Sequence, residues 1–162
     1  MKIVILVLSD RCSRGEATDG SGPALVDWLA ERGHAETPVT ILPDEREQIE
    51  AQLLEWCDGP DVDVILTCGG TGVSPRDVTP EATLAVIERE LPGFGEAMRA
   101  ESRKFSPHAV ISRATAGLRN GTLVLNLPGS PNAAVENLAA VWPAVAHCVA
   151  KAQGDQKPCG ES

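Results

Sequence analysis

Four short apolar runs, Ile3–Leu8, Val39–Leu42, Val62–Thr67 and Thr122–Leu127, constrain this chain more than any other feature. Runs of mostly aliphatic and β-branched side chains suit strands buried on both faces of a parallel sheet. Segments of helical periodicity separate them, so strands alternate with helices. That order predicts an α/β fold: a single-domain, open, mainly parallel sheet with helices on both faces. Ligands of such sheets bind outside the carboxyl ends of the strands. The loops that follow the four runs are therefore where chemistry is expected.

The helices have their own punctuation. Pro23 suits a first helical position before Ala24–Arg32, with Gly33 at the exit. Asp44 precedes Glu45–Cys57, where Ile49, Leu53, Leu54 and Trp56 fit one helical face. Thr79 and Pro80 open a helix whose predicted face is Leu84, Ile87 and Leu91, with Pro92-Gly93 as the stop. Further helices are expected over about Gly93–Phe105 and about Asn132–Ala152. No repeat or linker interrupts the 162 residues, so one domain is expected over 1–153, followed by a flexible polar tail over 154–162.

Composition removes several classes of function. Aromatics are 3% of the chain and Tyr is absent, which leaves no platforms for stacking nucleic-acid bases. A net charge of -9 disfavours nucleic acid and anionic membrane surfaces alike. The opening run is too short for a signal segment and meets Ser9-Asp10-Arg11 at once, so no membrane span is expected and the cytoplasm is the expected compartment. Cys12, Cys57, Cys68, Cys148 and Cys159 show no CxxC spacing. They read as neither a zinc site nor a disulfide framework, and Cys68 as small apolar filler. His34, His108 and His147 lack metal-ligand spacing and read as surface groups or satisfied partners.

After the third run comes Cys68-Gly69-Gly70-Thr71-Gly72, then Val73-Ser74-Pro75-Arg76-Asp77-Val78-Thr79-Pro80. Glycines let backbone N–H groups approach a ligand, and consecutive N–H groups near a helix start cradle an anion. The loop is neither a Walker A sequence nor a dinucleotide fingerprint, and a plain tight turn is the competing reading. Pro128-Gly129-Ser130-Pro131-Asn132 after the fourth run combines a stiffened backbone, a hydroxyl and a helix start, with capping by Ser130 or Asn132 as the alternative. The first loop, Ser9-Asp10-Arg11-Cys12-Ser13-Arg14-Gly15, supplies hydroxyls and two guanidiniums. Asp44 and Asp77 follow strand ends, where Mg²⁺ bound to nucleotide phosphates takes one or two carboxylates. For Asp44, helix capping stands equally beside that role.

Taken in order, these segments resemble a known family. Gly69-Gly70-Thr71-Gly72, Pro75-Arg76-Asp77-Val78-Thr79-Pro80-Glu81-Ala82-Thr83, Leu91-Pro92-Gly93-Phe94-Gly95-Glu96-Ala97-Met98-Arg99 and Leu127-Pro128-Gly129-Ser130-Pro131 are similar to molybdopterin adenylyltransferases of the bacterial MogA type. The related plant G domain and the gephyrin G domain share the pattern, and Ser9-Asp10-Arg11 and Pro43-Asp44-Glu45 fit it. The resemblance covers about residues 3 to 150. It implies a MogA/MoaB-like fold and Mg²⁺-dependent transfer of an adenylyl group from ATP to molybdopterin, with release of pyrophosphate. It also implies a homotrimer and hand-off of the product to a MoeA-type molybdate insertion enzyme.

By the same resemblance Asp44 has a metal–nucleotide role and Asp77 belongs to the catalytic loop. Gly69, Gly70, Thr71 and Gly72 form the nucleotide and pterin-phosphate loop. Ser9, Asp10, Arg11, Ser112, Arg113, Gly129, Ser130 and Asn132 are the implied pterin pocket. A MoaB-type protein that binds molybdopterin without turning over ATP is the alternative.

Overall fold

Asn126 interrupts the aliphatic run Leu123–Leu127, and the sheet that buries it is the centre of the molecule. The computed structural model describes residues 1–156. Its strands are β1 (Ile3–Leu8), β2 (Val39–Leu42), β3 (Val64–Cys68), β4 (Arg89–Glu90), β5 (Ala116–Arg119) and β6 (Thr122–Leu127). They form one six-stranded sheet in the order β2-β1-β3-β6-β5-β4. The first four in that order are parallel neighbours, whereas β5 runs antiparallel to β6 and β4 antiparallel to β5. The sheet is thus mixed; its parallel half matches the four apolar runs, but β2 is an edge strand whose Val39 and Ile41 are exposed rather than buried on both faces.

The helices are α1 (Asp10–Ser13), α2 (Ser21–Ala30), α3 (Arg46–Asp58), α4 (Thr79–Val86), α5 (Pro92–Ser102) and α6 (Pro131–Ala152), with a short 3-10 helix at Pro107–Ile111. The period of two along each strand sorts its side chains between two layers. Ile3, Ile5 and Val7 of β1, with alternate residues of β3 and β6, meet Leu25, Leu29, Met98, Leu138 and Val145 from α2, α5 and α6. Val4, Leu6, Leu8, Ile65 and Val124 face Ile49, Leu53, Ala82 and Val86 of α3 and α4. Each fully buried aliphatic side chain contributes about 1.5–3 kcal/mol of transfer free energy. Asn126, on the α4 side, satisfies its amide by donating to Thr67 Oγ1 at 3.0 Å and Thr83 Oγ1 at 2.8 Å.

Several expected boundaries move, each for a local reason. β3 begins at Val64 rather than Val62, because Asp63 N and Val64 N both donate to Lys2 O before the ladder starts. α2 begins at Ser21, since the Asp19 carboxylate accepts from Ser21 N and Gly22 N, and Pro23 falls inside the first turn. α4 ends at Val86, so the predicted face of Leu84, Ile87 and Leu91 does not form: Leu84 is 48% exposed and Ile87 is already extended. Pro92 starts α5 instead of stopping a helix. On α3 the buried face is Ile49, Leu53 and Cys57, while Leu54 faces solvent.

The expectation of no membrane-length segment meets one exception. α6 has 22 residues and a mean hydropathy of 1.3, long and apolar enough by those measures to cross a bilayer. Its Ala134, Leu138, Val141, Val145 and Val149 instead pack into the core, which gives a core helix this composition. The polar tail expected at 154–162 lies outside the described residues from residue 157 onward, together with Cys159.

Candidate active site

β1, β2, β3 and β6 run in the same direction, so the loops after Leu8, Leu42, Cys68 and Leu127 emerge along one edge of the sheet. That edge brings Asp10, Asp44, Asp77 and the glycine loop together. Asp10 and Asp44 grip one another through the backbone: Asp10 N donates to Asp44 Oδ2 at 2.9 Å, and Asp44 N donates to Asp10 Oδ1 at 3.1 Å. Asp44 therefore does not cap α3, which starts after Glu45 without a side-chain cap. Arg76 lies across the outside, donating to both Asp10 oxygens and to Glu45 Oε1. It holds the Asp10 carboxyl below the usual range. Burial pushes the Asp44 carboxyl up instead, and the nearby Asp10 and Asp77 charges push the same way.

The glycine loop needs its glycines. Gly69 has φ +107°, and a Cβ there would lie 2.3 Å from Leu8 O. Gly70 has φ +62°, and its Cβ would meet Thr79 Oγ1 at 2.3 Å and Asp44 Oδ1 at 3.2 Å. Only a residue without a side chain follows this path. Thr79, expected from sequence to open a helix, is the first residue of α4, and its hydroxyl donates to Gly69 O at 2.8 Å. Gly69 N donates to Leu127 O at 3.1 Å, so this N–H is committed to the fold. Among the described residues, the N–H groups of Gly70, Thr71 and Gly72 reach no protein acceptor. Three successive free donors beside a helix start form an anion cradle.

Two cavities adjoin this loop. One of about 490 Å³ is lined by Ser9, Asp44, Gly69, Gly70, Asp77 and Gly129, with Cys12, Thr18, Asp19 and Ser21. The other, of about 360 Å³, is lined by Thr71, Gly72, Ser112 and Ser130, with Arg99, Phe105, His108, Glu136 and Asn137. Ser130 also caps α6, its hydroxyl accepting from Ala133 N, as the capping alternative expected.

Arg11 and Asn132 are exposed and line neither cavity, and Asp10 is occupied by Asp44 and Arg76. Arg113 lines neither cavity either; its guanidinium is turned onto the glycine loop. Sequence reasoning missed the cavity residues Asp19, Ser21, Arg99, Phe105, Glu136 and Asn137. Asn137 carried a usable signal: it interrupts the apolar stripe Ala134, Leu138 and Val141 of α6 and is nevertheless buried.

Among the described residues, no cluster of three His, Cys, Asp or Glu side chains could hold a metal unaided. The donors at hand are carboxylate oxygens, with Asp44 Oδ1, beside Gly70, accepting no hydrogen bond among the described residues. Oxygen donors in that number fit a hard cation that completes its shell with phosphate oxygens and water. By geometry alone, this is an α/β protein with a candidate anion site at the carboxyl edge of its sheet.

Comparison with known proteins narrows the class. Residues 4–147 match the family described as a probable molybdopterin binding domain, and the chain belongs to that family. It is 46% identical over 149 residues to the molybdopterin adenylyltransferase of Helicobacter pylori strain J99, covering 91% of this chain and 85% of that protein. It is 45% identical over 143 residues to the molybdopterin adenylyltransferase of Escherichia coli K12, covering 87% of this chain and 73% of that one. The crystal structure of the molybdopterin biosynthesis enzyme MoaB from Thermus thermophilus superposes with TM-score 0.86 at 42% identity, covering 95% of this chain and 97% of that one. The Mog protein of Mycobacterium ulcerans gives TM-score 0.87 at 33% identity, with the same coverage. The α/β fold expected from the strand pattern is the MogA/MoaB fold.

Proposed function

We propose that this protein is a molybdopterin adenylyltransferase that uses Mg²⁺ and ATP and releases pyrophosphate. One observation carries the reading: a single glycine loop is the shared wall of two cavities. Gly69 and Gly70 line the cavity that holds Asp44 and Asp77, and Thr71 and Gly72 line the other. Two ligands seated there would have their phosphates meet at the free N–H groups of Gly70 to Gly72. The names of the Helicobacter pylori and Escherichia coli relatives support the same activity.

In this reading an oxygen of the molybdopterin phosphate attacks the α-phosphorus of ATP. A new P–O bond forms, the bond to the β-phosphate oxygen breaks, and pyrophosphate leaves with the electron pair. The attacking phosphate is already ionised near neutral pH, so no strong base is needed. Catalysis then rests on alignment and on fixed donors aimed at the reacting phosphates. Gly70, Thr71 and Gly72 supply the donors, and Asp77 orders the bend beyond them. Asp44 would hold Mg²⁺, which supplies neutralisation of the crowded phosphate charge. Ser112, Ser130 and the half-buried Arg99 would border the pterin.

The reading extends to a homotrimer, to delivery of the product to a MoeA-type insertion enzyme, and to work in the cytoplasm. An apolar groove of about 380 Å³ between α5 and α6, lined by Leu91, Phe94, Ala97, Ala140 and Ala144, supports a subunit contact. A MoaB-type binding protein without ATP turnover is the second reading, kept because solved structures of MoaB proteins share this fold. Pyrophosphate release from Mg²⁺ and ATP, with and without molybdopterin, separates the two. Release that needs molybdopterin and falls at least ~100-fold in Asp77→Asn is expected. Tight molybdopterin binding with no release would leave the binding protein.

A further inference from the structure

We propose that Arg113 is a positioning residue that sets the place of Asp77, rather than a ligand of either substrate. This rests on the adenylyltransferase reading for its kinetic consequence and on geometry for the rest.

Arg113 lies between the 3-10 helix and β5, and its bonds all run to the glycine loop and its helix. Arg113 N donates to Thr71 O at 2.8 Å. From the guanidinium, Nε donates to Gly72 O at 2.6 Å and Nη2 to Asp77 O at 2.6 Å. One planar group therefore holds both ends of the bend from Gly72 to Asp77. Inside the bend, Asp77 Oδ2 accepts from Ser74 N at 2.8 Å, and Asp77 N donates to Ser74 O at 2.9 Å. A Cβ on Gly72 would lie 2.8 Å from Asp77 Oδ2, so the carboxylate rests directly on the backbone that Arg113 grips.

The clamp has a backing. Nη1 of Arg113 donates to Glu81 Oε1, from the first turn of α4. The other oxygen, Glu81 Oε2, has no hydrogen-bond partner among the described residues. Burial works against the Glu81 charge, but the Arg113 bond, the backbone N–H of Glu81 and the Arg113 charge together outweigh it and keep the carboxyl below its usual range. Lysine cannot replace this arrangement: an ammonium is a point donor, whereas the fork of arginine spans several fixed acceptors at once.

The test compares wild type, Arg113→Lys, Asp77→Asn and the double variant by pyrophosphate release, molybdopterin titration and amide exchange. Arg113→Lys should lower kcat about 100-fold through misplacement, with the molybdopterin Kd within about 3-fold. Added to Asp77→Asn it should change little, because both act through one group. The amides of Ser74 and Asp77 should exchange at least ~10-fold faster, while those of β3 and β6 stay unchanged. A weakened molybdopterin Kd with intact kcat would make Arg113 a substrate ligand and overturn the proposal. So would full additivity with Asp77→Asn, or unchanged exchange at Ser74 and Asp77. If wild type releases no pyrophosphate, the adenylyltransferase reading fails, and amide exchange alone decides the role of Arg113. Should Arg113→Lys fail to fold, Glu81→Gln loosens the same clamp and should give the same pattern more weakly.

Discussion

Replacing Gly69 by alanine probes the point where three strand ends meet. Gly69 N donates to Leu127 O, Gly69 O accepts from Thr79 Oγ1, and the new Cβ would lie 2.3 Å from Leu8 O. Two costs combine: a side chain at φ +107°, and an overlap with a main-chain oxygen that cannot rotate away. Each is worth about 1–3 kcal/mol, or about 2–6 kcal/mol together. For a chain of this length each kcal/mol lowers Tm by about 2–4 °C, so a mid-range cost of about 4 kcal/mol lowers it by about 8–16 °C. Gly15→Ala separates the two contributions. Gly15 has φ +71° with nothing within 4 Å of its Cβ, so only the backbone cost applies, about 1–2 kcal/mol. Thermal unfolding followed by far-ultraviolet circular dichroism measures both variants under one set of conditions. Equal Tm losses in the two would refute the close approach of Gly69 to Leu8.

Asp44→Asn should weaken use of Mg²⁺ and ATP yet stabilise the free protein at neutral pH. The folded carboxyl is raised above 3.8 by burial, so its ionisation costs stability as pH rises through and beyond that value. The advantage of the Asn variant should therefore be present at pH 7 and vanish below about pH 3.8, as thermal melts across that range would register. An advantage independent of pH would show that Asp44 bears no such charge penalty. Asn126→Ala removes the amide that joins Thr67 and Thr83, leaving buried polar groups short of a partner. It should cost about 3 kcal/mol in denaturant unfolding, and a loss under 1 kcal/mol would mean the hydroxyls find other partners.

The parallel half of the sheet was legible because Ile3–Leu8, Val39–Leu42 and Thr122–Leu127 need no tertiary help to be read as strands. β4 and β5 were not. Arg89 and Glu90 are exposed at an edge and offer two residues of pattern, and Ala116–Arg119 holds a glycine and an arginine in four positions. Both form only because β6 is there to pair with β5. The site was half visible for a similar reason. The glycine loop, Asp44 and Asp77 announce themselves by residue type and by following strand ends.

The use each is put to depends on partners far off in sequence. Asp44 looked like a helix cap until Asp10, 34 residues away, took its oxygen. Arg113 was grouped with the pterin pocket by the family resemblance alone, and only its neighbour Ser112 lines a cavity. The acceptors of Arg113 at Gly72 and Asp77 lie 41 and 36 residues away, and no local pattern could reveal them.

The wall between the two cavities is main chain, contributed by Gly69 to Gly72. A wall of backbone is not altered when side chains around it drift. Residues such as Phe105, His108 or Glu136 can vary and reshape one chamber, while Thr18, Asp19 and Ser21 shape the other. Neither change requires compensation across the partition. A lineage built on this plan can therefore alter what it accepts on one side while inheriting the other side intact.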